Sequence, residues 1–163
     1  MSAQPIGTPP PQLHDFDFLF GHWAVRHQRL KTRGVGADDW DVFAGTAFTE
    51  PRMGGLVNIE EHDCPERGWM GVALRAFDLV TGAWSIWWIG DRDGQLQPAV
   101  VGRFHEDGCR LEGPDADGGR PIIARYEWSR VHSGSPRWVQ AFSYDGGVTW
   151  ETNWVMDFTR TAS

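Results

Sequence analysis

The side chains best suited to chemistry in this chain are polar residues that lie within strand-forming, aromatic-rich sequence. Four residues share this setting: Arg75, Arg125, Gln140 and Asn153. A buried guanidinium or amide group needs a hydrogen-bond partner. That partner is either a carboxylate, carbonyl or phosphate of a ligand, or an internal acid such as Glu60 or Glu127. The sequence leaves both alternatives open, together with simple exposure to water.

A histidine offers a second kind of chemistry. Side chains of a strand alternate between its two faces, so Val25, His27 and Arg29 share the face of Trp23. If that face points inward, His27 can shuttle a proton or ligate a metal or haem iron. The alternative is a hydrogen-bonded core histidine, or a strand end that faces water.

Tryptophan is the most unusual component of the composition, with ten among 163 residues. Its large ring and single N–H suit an aromatic-lined interior, an interface or a plain core. Three tryptophans crowd one predicted strand, where Trp84 and Trp88 share one face and Trp87 takes the other. An aromatic side chain left on the outside predicts a homodimer formed through the wall of the fold. The predicted ligand-binding residues are His27, Arg75, Trp87, Arg125, Gln140 and Asn153.

Known catalytic and nucleotide-binding motifs are absent from the sequence. It contains no HExxH, GxSxG, P-loop or GxGxxG pattern. His62 and Cys64, with Asp63 between them, could chelate a metal, but no second cluster accompanies them. We therefore predict no metal and no cofactor, and the catalytic residues, if there are any, are unknown.

The charge of the chain argues against nucleic acid and membrane partners. The formal net charge is −7, and Lys31 is the only lysine. Phosphates and anionic lipid surfaces are bound by basic patches, which this sequence lacks. Residues 1–12 lack the basic and apolar regions of a signal peptide, so none is expected there, and the sequence has no run of ~18 apolar residues. The expectation is a cytoplasmic protein with Cys64 and Cys109 reduced, although the sequence also allows one disulfide.

The predicted elements are those of an all-β protein. Residues 1–12 are rich in Pro, Gly, Ser and Gln and predict a disordered tail, whereas residues 13–163 form one domain. A helix of one or two turns is expected within 13–20. Nine strand-like segments follow: 23–29, 40–48, 56–62, 69–78, 83–89, 99–105, 122–132, 138–144 and 149–159. Short turns between them indicate an antiparallel sheet that folds into an up-and-down barrel of about 8–10 strands or a sandwich.

Gly21-His22-Trp23 resembles the G-x-W signature at the first strand of the calycins, the lipocalin-like barrels. The resemblance implies that Trp23 closes one end of a barrel and that an arginine of the last strand packs across it. Arg160 matches that position. Gly21 lets the backbone pass close beneath the ring. These three residues form the structural signature and favour the barrel over the sandwich.

Nearly the whole chain, from about 15 to 160, is also similar to bacterial proteins of uncharacterised function related to the DUF1579 family. The similarity is carried by FDFLFGHW at the start, LRAFDLVTGAWSIWW in the middle and QAFSYDGGVTWETNWVMDFTR at the end. It implies the calycin barrel and no particular activity.

The segment Ser143–Trp150 has the pattern S-x-D-x-G-x-T-W, which resembles the Asp-box hairpin of sialidase propellers. Ser and Asp side chains in such a turn bond to backbone N–H groups, and glycine takes a positive φ. One copy cannot form a propeller, which needs repeated blades. The segment therefore predicts a structural hairpin.

Three functions are compatible with these observations. The first is binding of a small, largely apolar or acidic ligand inside the barrel. The second is a cofactor-independent cyclase, isomerase or hydratase. The residues to substitute first would then be His27, Glu60, Arg75 and Arg125. The third is haem binding like that of the nitrobindins, with one histidine as the axial ligand.

Overall fold

The structure of the protein is a computed structural model, and it describes residues 7–161. Antiparallel strands follow one another around a closed barrel, and the tenth strand pairs with the first. This confirms the predicted all-β class and the up-and-down order. The strands are β1 (Gly21–Leu30), β2 (Trp40–Arg52), β3 (Val57–Cys64), β4 (Trp69–Phe77), β5 (Trp84–Gly90), β6 (Val100–His105), β7 (Gly108–Asp117), β8 (Arg120–Ser129), β9 (Arg137–Ser143) and β10 (Glu151–Arg160), with a 3-10 turn at Met53–Gly55.

The segment before β1 is helical, as predicted, and consists of two short 3-10 pieces, Pro11–His14 and Asp17–Leu19. Of the predicted tail, residues 1–6 lie outside the described residues, while Pro11 and Gln12 begin the first helix. Proline suits the first turn of a helix because its missing N–H would be unpaired there anyway. Within residues 7–161, no helix has the length and apolar character needed to cross a membrane.

Strand β7 is the one that the sequence analysis did not predict. Its sequence, GCRLEGPDAD, contains glycine, proline and aspartate, which are typical of turns. The strand pairs with β8 from Cys109 to Asp117, but with β6 only as far as Glu112. Beyond that point it has a strand neighbour on one side only, and Pro114 is tolerated there as on an edge strand. Pairing with its neighbours, rather than local propensity, fixes this strand.

Aromatic side chains close one end of the barrel. Phe16, from the segment before β1, packs edge-on against Trp84, with 4.9 Å between ring centroids. Trp23 of β1 packs against Phe158 of β10 at 5.9 Å. The indole N–H of Trp23 donates to the carbonyl oxygen of Leu19 at 2.7 Å. This end is therefore closely packed, although Nε1 of Trp128, whose ring centroid lies 5.3 Å from that of Phe158, has no hydrogen-bond partner among the described residues.

Arg160 lies across Trp23 at the closed end. Its guanidinium carbon is 4.1 Å from the ring centroid, and two of its N–H groups donate to the carbonyl oxygens of Phe20 and Phe18, at 2.6 and 2.9 Å. Gly21 has a φ of 108°, and a Cβ at this position would lie 2.9 Å from Nη1 of Arg160. Glycine therefore allows both the backbone conformation and the approach of the arginine.

The segment Ser143–Trp150 forms the turn between β9 and β10. Asp145 accepts a hydrogen bond from the backbone N–H of Thr149 at 2.9 Å, and the hydroxyl of Ser143 accepts one from the N–H of Gly147 at 2.8 Å. These contacts are local and belong to a structural hairpin.

Both cysteines, Cys64 and Cys109, are free and buried. Burial, as the largest influence, raises the pKa of each thiol to about 12. Both are therefore protonated thiols at neutral pH, and the disulfide that the sequence allowed is not formed.

Candidate ligand-binding site

The end of the barrel far from Trp23 opens into a cavity of about 250 Å³. Alternate residues of a strand face the same side, so one inward aromatic residue from each of several strands is enough to build its wall. The aromatic residues of the wall are Trp69, Trp88, Tyr126, Phe142 and Trp154. The volume is a little below the ~300–1,000 Å³ typical of small-molecule sites. The cavity therefore suits a small ligand.

Three tryptophans of this wall meet edge to face. The ring centroids are 5.7 Å apart for Trp69 and Trp154, 6.3 Å for Trp88 and Trp154, and 6.2 Å for Trp69 and Trp88. Trp88 can turn inward because Gly71 on β4 has no side chain, and a Cβ there would overlap the indole. Perpendicular packing of this kind holds the rings in place and gives the cavity a firm apolar wall.

Arg29 places a positive charge against the aromatic wall. Its guanidinium carbon lies 4.2 Å from the ring centroid of Trp154. Among the described residues, its guanidinium group has neither a hydrogen-bond acceptor nor a carboxylate partner. Burial, and then the guanidinium groups of Arg33 and Arg92, lower the pKa of Arg29 to about 10. At neutral pH this half-buried side chain is therefore a cation without a counter-ion.

Carboxylates also line the cavity, and each accepts hydrogen bonds from this chain. Asp117 accepts from Arg33 at 2.9 Å and from the hydroxyl of Tyr144 at 2.6 Å. Three others accept from backbone N–H groups at 2.8 to 3.0 Å: Asp91, Asp93 and Asp115. The acids of the rim are thus held by internal contacts, whereas Arg29 is not.

A smaller cavity of about 50 Å³ lies deeper in the barrel. The two cavities adjoin, since they share four lining residues: Trp88, Tyr126, Gln140 and Trp154. Glu60, His62 and Arg75 line only the inner cavity. Shared aromatic rings therefore lie between the mouth and the polar side chains of the interior.

Glu60 is the centre of a buried hydrogen-bonded cluster beside the inner cavity. One carboxylate oxygen accepts from Nε2 of His62 at 2.5 Å and lies 3.2 Å from Nη2 of Arg75, and the other accepts from the hydroxyl of Thr49 at 2.9 Å. Arg75 also donates to Oδ1 of Asn58 at 2.9 Å. Burial opposes ionisation of Glu60, but Arg75, His62 and the hydrogen bonds outweigh it and lower the pKa of Glu60 below its usual range. This is the internal pairing that the sequence left open for Arg75.

Three nitrogens of this cluster have no hydrogen-bond partner within residues 7–161: Nδ1 of His62, Nε of Arg75 and Nδ2 of Asn58. An unsatisfied buried donor or acceptor costs ~1–3 kcal/mol of folding free energy. His62 and Arg75 both line the inner cavity. A polar group placed in that cavity could therefore satisfy them.

His27 lies on the same face of β1 as Arg29 but reaches neither cavity. Its Nδ1 accepts a hydrogen bond from Nε1 of Trp154 at 3.0 Å, and its Nε2 is 3.5 Å from Sγ of Cys64. Because an indole N–H can only donate, Nδ1 carries no proton and Nε2–H points towards the sulfur. Burial, above all, lowers the pKa of His27 to about 3, so the ring is neutral at pH 7. His27 thus orients Trp154 and lines neither of the two cavities.

Three other predicted residues lie in the barrel interior. Arg75 and Gln140 line the inner cavity, and Gln140 also lines the outer one. Asn153 is buried next to Gln140 and accepts a hydrogen bond from it at 2.8 Å. It sits where the pairing of β10 with β9 shifts register between Thr152 and Trp154, so the irregularity brings it inward.

The last two predicted residues, Arg125 and Trp87, lie on the outer face and reach neither cavity. Arg125 pairs with Glu112 at 2.8 Å and lies 3.6 Å from the ring centroid of Trp150. Trp87 is half-buried opposite Leu74, while its neighbours in β5 turn inward. The homodimer suggested by an outer aromatic residue stays a prediction.

The Glu60–His62 pair was not selected as a binding site because its strand has an inverted pattern. β3 turns its polar residues Asn58, Glu60 and His62 inward and its apolar residues Val57 and Ile59 outward. A rule that sends apolar residues to the core assigns the two faces of this strand the wrong way round. The usable signal is the alternation itself, counted from β2 and β4, whose inward faces are easier to assign.

Comparison with protein-family models and with curated proteins gives no relative from which a function could be transferred. The chain matches none of the protein-family models, and no curated protein matches it significantly. Within the described residues, no three His, Cys, Asp or Glu side chains are grouped so as to hold a metal ion. The molecule is a closed β-barrel with a cavity at one end, a form compatible with a ligand-binding barrel. Its function has to be argued from the site.

Proposed function

We propose that this protein binds a small carboxylic acid with a flat, apolar body in the cavity at the open end of its barrel. The observation that carries the proposal is Arg29, a half-buried cation at the cavity with no acceptor among the described residues. A ligand carboxylate would supply the missing acceptors. Hydrogen bonds to charged groups contribute ~1.5–3 kcal/mol each, which is enough to select acids over neutral analogues.

The aromatic wall supports a flat apolar body for the ligand. Trp69, Trp88 and Trp154 line one continuous cavity together with Tyr126 and Phe142. Aromatic rings bury large areas and favour stacked or edge-to-face partners, so a fused or substituted ring is the best match. The gain from burial is ~25 cal/mol per Å² of apolar surface removed from water.

The charges at the mouth favour a single negative charge on the ligand. A cation would be repelled by Arg29, which already occupies the face of Trp154 where a cation would stack. A multivalent anion would bring excess negative charge close to Asp91, Asp93 and Asp115. A monocarboxylate meets the guanidinium of Arg29 and adds little repulsion from these acids, which share the cavity lining with the cations Arg33 and Arg92.

The test is calorimetric titration with three ligands of equal shape: naphthoate, the neutral naphthamide and the cationic naphthylmethylammonium. We expect naphthoate to bind at least about tenfold more tightly than the amide, which corresponds to ~1.4 kcal/mol. Arg29→Gln should remove this preference. The matched control is Arg125→Gln, because Arg125 stacks on a tryptophan on the outer face and lines neither cavity.

Two results would contradict the proposal. One is equal or tighter binding of the amide or the ammonium compound to the wild-type protein. The other is an unchanged preference for naphthoate in Arg29→Gln. An equal loss in Arg29→Gln and Arg125→Gln would show a general effect of net charge and would also count against a specific site.

The Glu60–His62 pair favours a second candidate function, acid–base catalysis without a cofactor. The carboxylate accepts Nε2–H of His62 at 2.5 Å and so orients the imidazole. Nδ1 then has a lone pair, and His62 lines a cavity that adjoins the larger one. A carboxylate-oriented imidazole is a common general base. Such a pair could move a proton between two positions of a bound acid, as an isomerase does.

Phenylpyruvate, an aromatic acid with an acidic C–H, provides the test of this second function. If His62 is a general base, the protein should accelerate exchange of that hydrogen with deuterated solvent, measured by proton NMR. His62→Phe should abolish the acceleration, and Arg125→Gln should leave it intact. Exchange no faster than in buffer would argue for binding alone.

Haem binding through His27 is not supported by the geometry. Both ring nitrogens of His27 have partners, Trp154 and Cys64, and the residue lines neither cavity. Nδ1 of His62 is unpaired, but it lies beside a cavity of about 50 Å³, which is too small for a porphyrin. Neither His27 nor His62 therefore fits the role of axial ligand in the nitrobindin-like alternative.

A further inference from the structure

The inner cavity contains polar chemistry that the binding of an acid at Arg29 does not use. His62 and Glu60 of β3 and Arg75 of β4 are all at most 2% exposed. They line a cavity of about 50 Å³ together with apolar side chains such as Met156 and Trp138. Polar groups in such a place usually have their full set of partners. Within residues 7–161, His62 and Arg75 each have one nitrogen without a partner.

The hydrogen bonds of Glu60 determine what His62 can offer. Glu60 is ionised and accepts from Nε2 of His62 at 2.5 Å, so an imidazole with a single proton carries that proton on Nε2. Nδ1 is then a hydrogen-bond acceptor, and no described residue donates to it. Nε–H of Arg75 is a donor with no described acceptor. The residues that line the cavity therefore have one unused acceptor and one unused donor between them.

We infer that the inner cavity is a second recognition subsite, which takes a hydroxyl group at the far end of the ligand. This rests on the proposed function and narrows the ligand to a hydroxy-substituted aromatic monocarboxylic acid. A hydroxyl is the group that fits both residues, because it donates through its hydrogen and accepts through its oxygen. The two subsites adjoin, since Trp88, Tyr126, Gln140 and Trp154 line both cavities.

Other groups at this end of the ligand fit the subsite less well. An ammonium group would lie next to the guanidinium of Arg75, and a second carboxylate would lie next to that of Glu60. A methyl group would leave Nδ1 of His62 and Nε of Arg75 buried without partners. The volume matches a small group, because one water occupies ~30 Å³ in the liquid.

The experiment compares three acids by calorimetry: naphthoate, a hydroxynaphthoate with its hydroxyl on the ring remote from the carboxylate, and the corresponding methoxynaphthoate. We expect the hydroxy acid to bind about tenfold or more tightly than naphthoate, as for a buried hydrogen-bonding group. The methoxy acid can accept but not donate, so it should show no such gain. A hydroxybenzoate and a hydroxybiphenyl carboxylate, each beside its unsubstituted parent, vary the distance between the two groups.

His62→Phe provides the variant test. It should remove the advantage of the hydroxy acid, so that the ratio of the affinities for the hydroxy acid and for naphthoate falls to about one. His105→Phe is the matched control, because His105 is exposed at the end of β6. If His62→Phe does not fold, NMR of the labelled imidazole gives the answer on the wild-type protein. The Nδ1 resonance of His62 should then move on addition of the hydroxy acid and stay in place with naphthoate.

The outcomes separate this inference from the proposed function. If naphthoate binds through Arg29 but no hydroxy acid of any length gains over its parent, the subsite is refuted and the acid site stands. If none of the carboxylates binds, the acid site itself is refuted, and this inference with it. A hydroxyl advantage that persists in His62→Phe, or an Nδ1 resonance that does not move, would also overturn the subsite.

Discussion

Each end of the barrel has an arginine stacked on a tryptophan, and β1 and β10 exchange these two roles from one end to the other. At the closed end, Arg160 of β10 lies 4.1 Å from the ring centroid of Trp23 of β1. At the open end, Arg29 of β1 lies 4.2 Å from that of Trp154 of β10. Both pairs are direct cross-strand neighbours in the same ladder. The stacking geometry is therefore nearly identical and does not distinguish the two ends.

What distinguishes them is where the N–H groups of the arginines are directed. Arg160 donates to the carbonyl oxygens of Phe18 and Phe20, which the segment before β1 brings to this end. Within residues 7–161, Arg29 has no equivalent acceptor. An arginine stacked on tryptophan is thus a structural clasp where the chain supplies acceptors. Where the chain does not, it is a candidate ligand site.

The largest effect is expected from removing the tryptophan of the closed end. Trp23→Ala should lower the free energy of unfolding by about 3–5 kcal/mol, because a fully packed ring is replaced by a cavity. Trp23 is 1% exposed and has a bonded indole N–H. Urea titration followed by circular dichroism measures the change. Trp40→Ala is the control, since Trp40 is exposed and its truncation should cost less than about 1 kcal/mol. Similar losses for the two variants would show that the closed end is not the main support of the barrel.

A second prediction concerns His27, which lies on β1 between the two stacked pairs. Burial is the largest of the influences that lower the pKa of His27 from 6.5 to about 3, against the weaker opposing influence of Glu60. The unfolded chain therefore binds a proton near pH 6.5 that the folded chain does not bind until about pH 3. The contribution of His27 to the free energy of unfolding is therefore complete above the pKa of the unfolded chain and is lost as the pH falls towards the pKa of the folded chain. Between about pH 6.5 and pH 5, above the range of the carboxylates, the loss should be about 1.5 kcal/mol.

The measurement for His27 is the urea midpoint at several pH values in this window. In His27→Phe the part of the pH dependence of the urea midpoint that comes from His27 should disappear. The variant should also be less stable at every pH, because Trp154 loses its hydrogen-bond acceptor. His105→Gln, a change at an exposed histidine, should keep the wild-type slope. An unchanged slope in His27→Phe would mean that His27 is accessible to protons in the folded state. The interior between the two stacked pairs would then be less well shielded from water than the structure indicates.

The fold could be predicted from the sequence because its signals are local and repeated. Alternation and turn residues predict the antiparallel order of the strands, and G-x-W with a terminal arginine marks the closed end. β7 escaped prediction because its sequence reads as turns, and its strand conformation depends on β8. Contacts between distant strands are not visible in a window of ten residues.

The candidate site was predicted only in part, for a related reason. Alternation along β1 places Arg29 on the inward face from the sequence alone, but its lack of an acceptor depends on loops that meet only in the folded barrel. Arg75 and Gln140 were identified as polar residues in aromatic strands, and they do line the inner cavity. Arg125 meets the same description and lies outside, because composition reports the character of a strand and not which face is inward.

The smallest effect, and the most direct test of the comparison, comes from truncating the two arginines. Arg160→Ala removes two hydrogen bonds at a partly exposed site and should lower the free energy of unfolding by about 1 kcal/mol. Arg29→Ala removes a desolvated cation that has no acceptor in the described chain, so stability should stay the same or rise slightly. Each variant measured by urea unfolding is the control for the other, because each removes an arginine stacked on a tryptophan. Naphthoate should then raise the stability of Arg160→Ala and leave that of Arg29→Ala unchanged. If Arg29→Ala instead costs as much as Arg160→Ala, both arginines are structural clasps, and the open end has no unpaired charge for a ligand to meet.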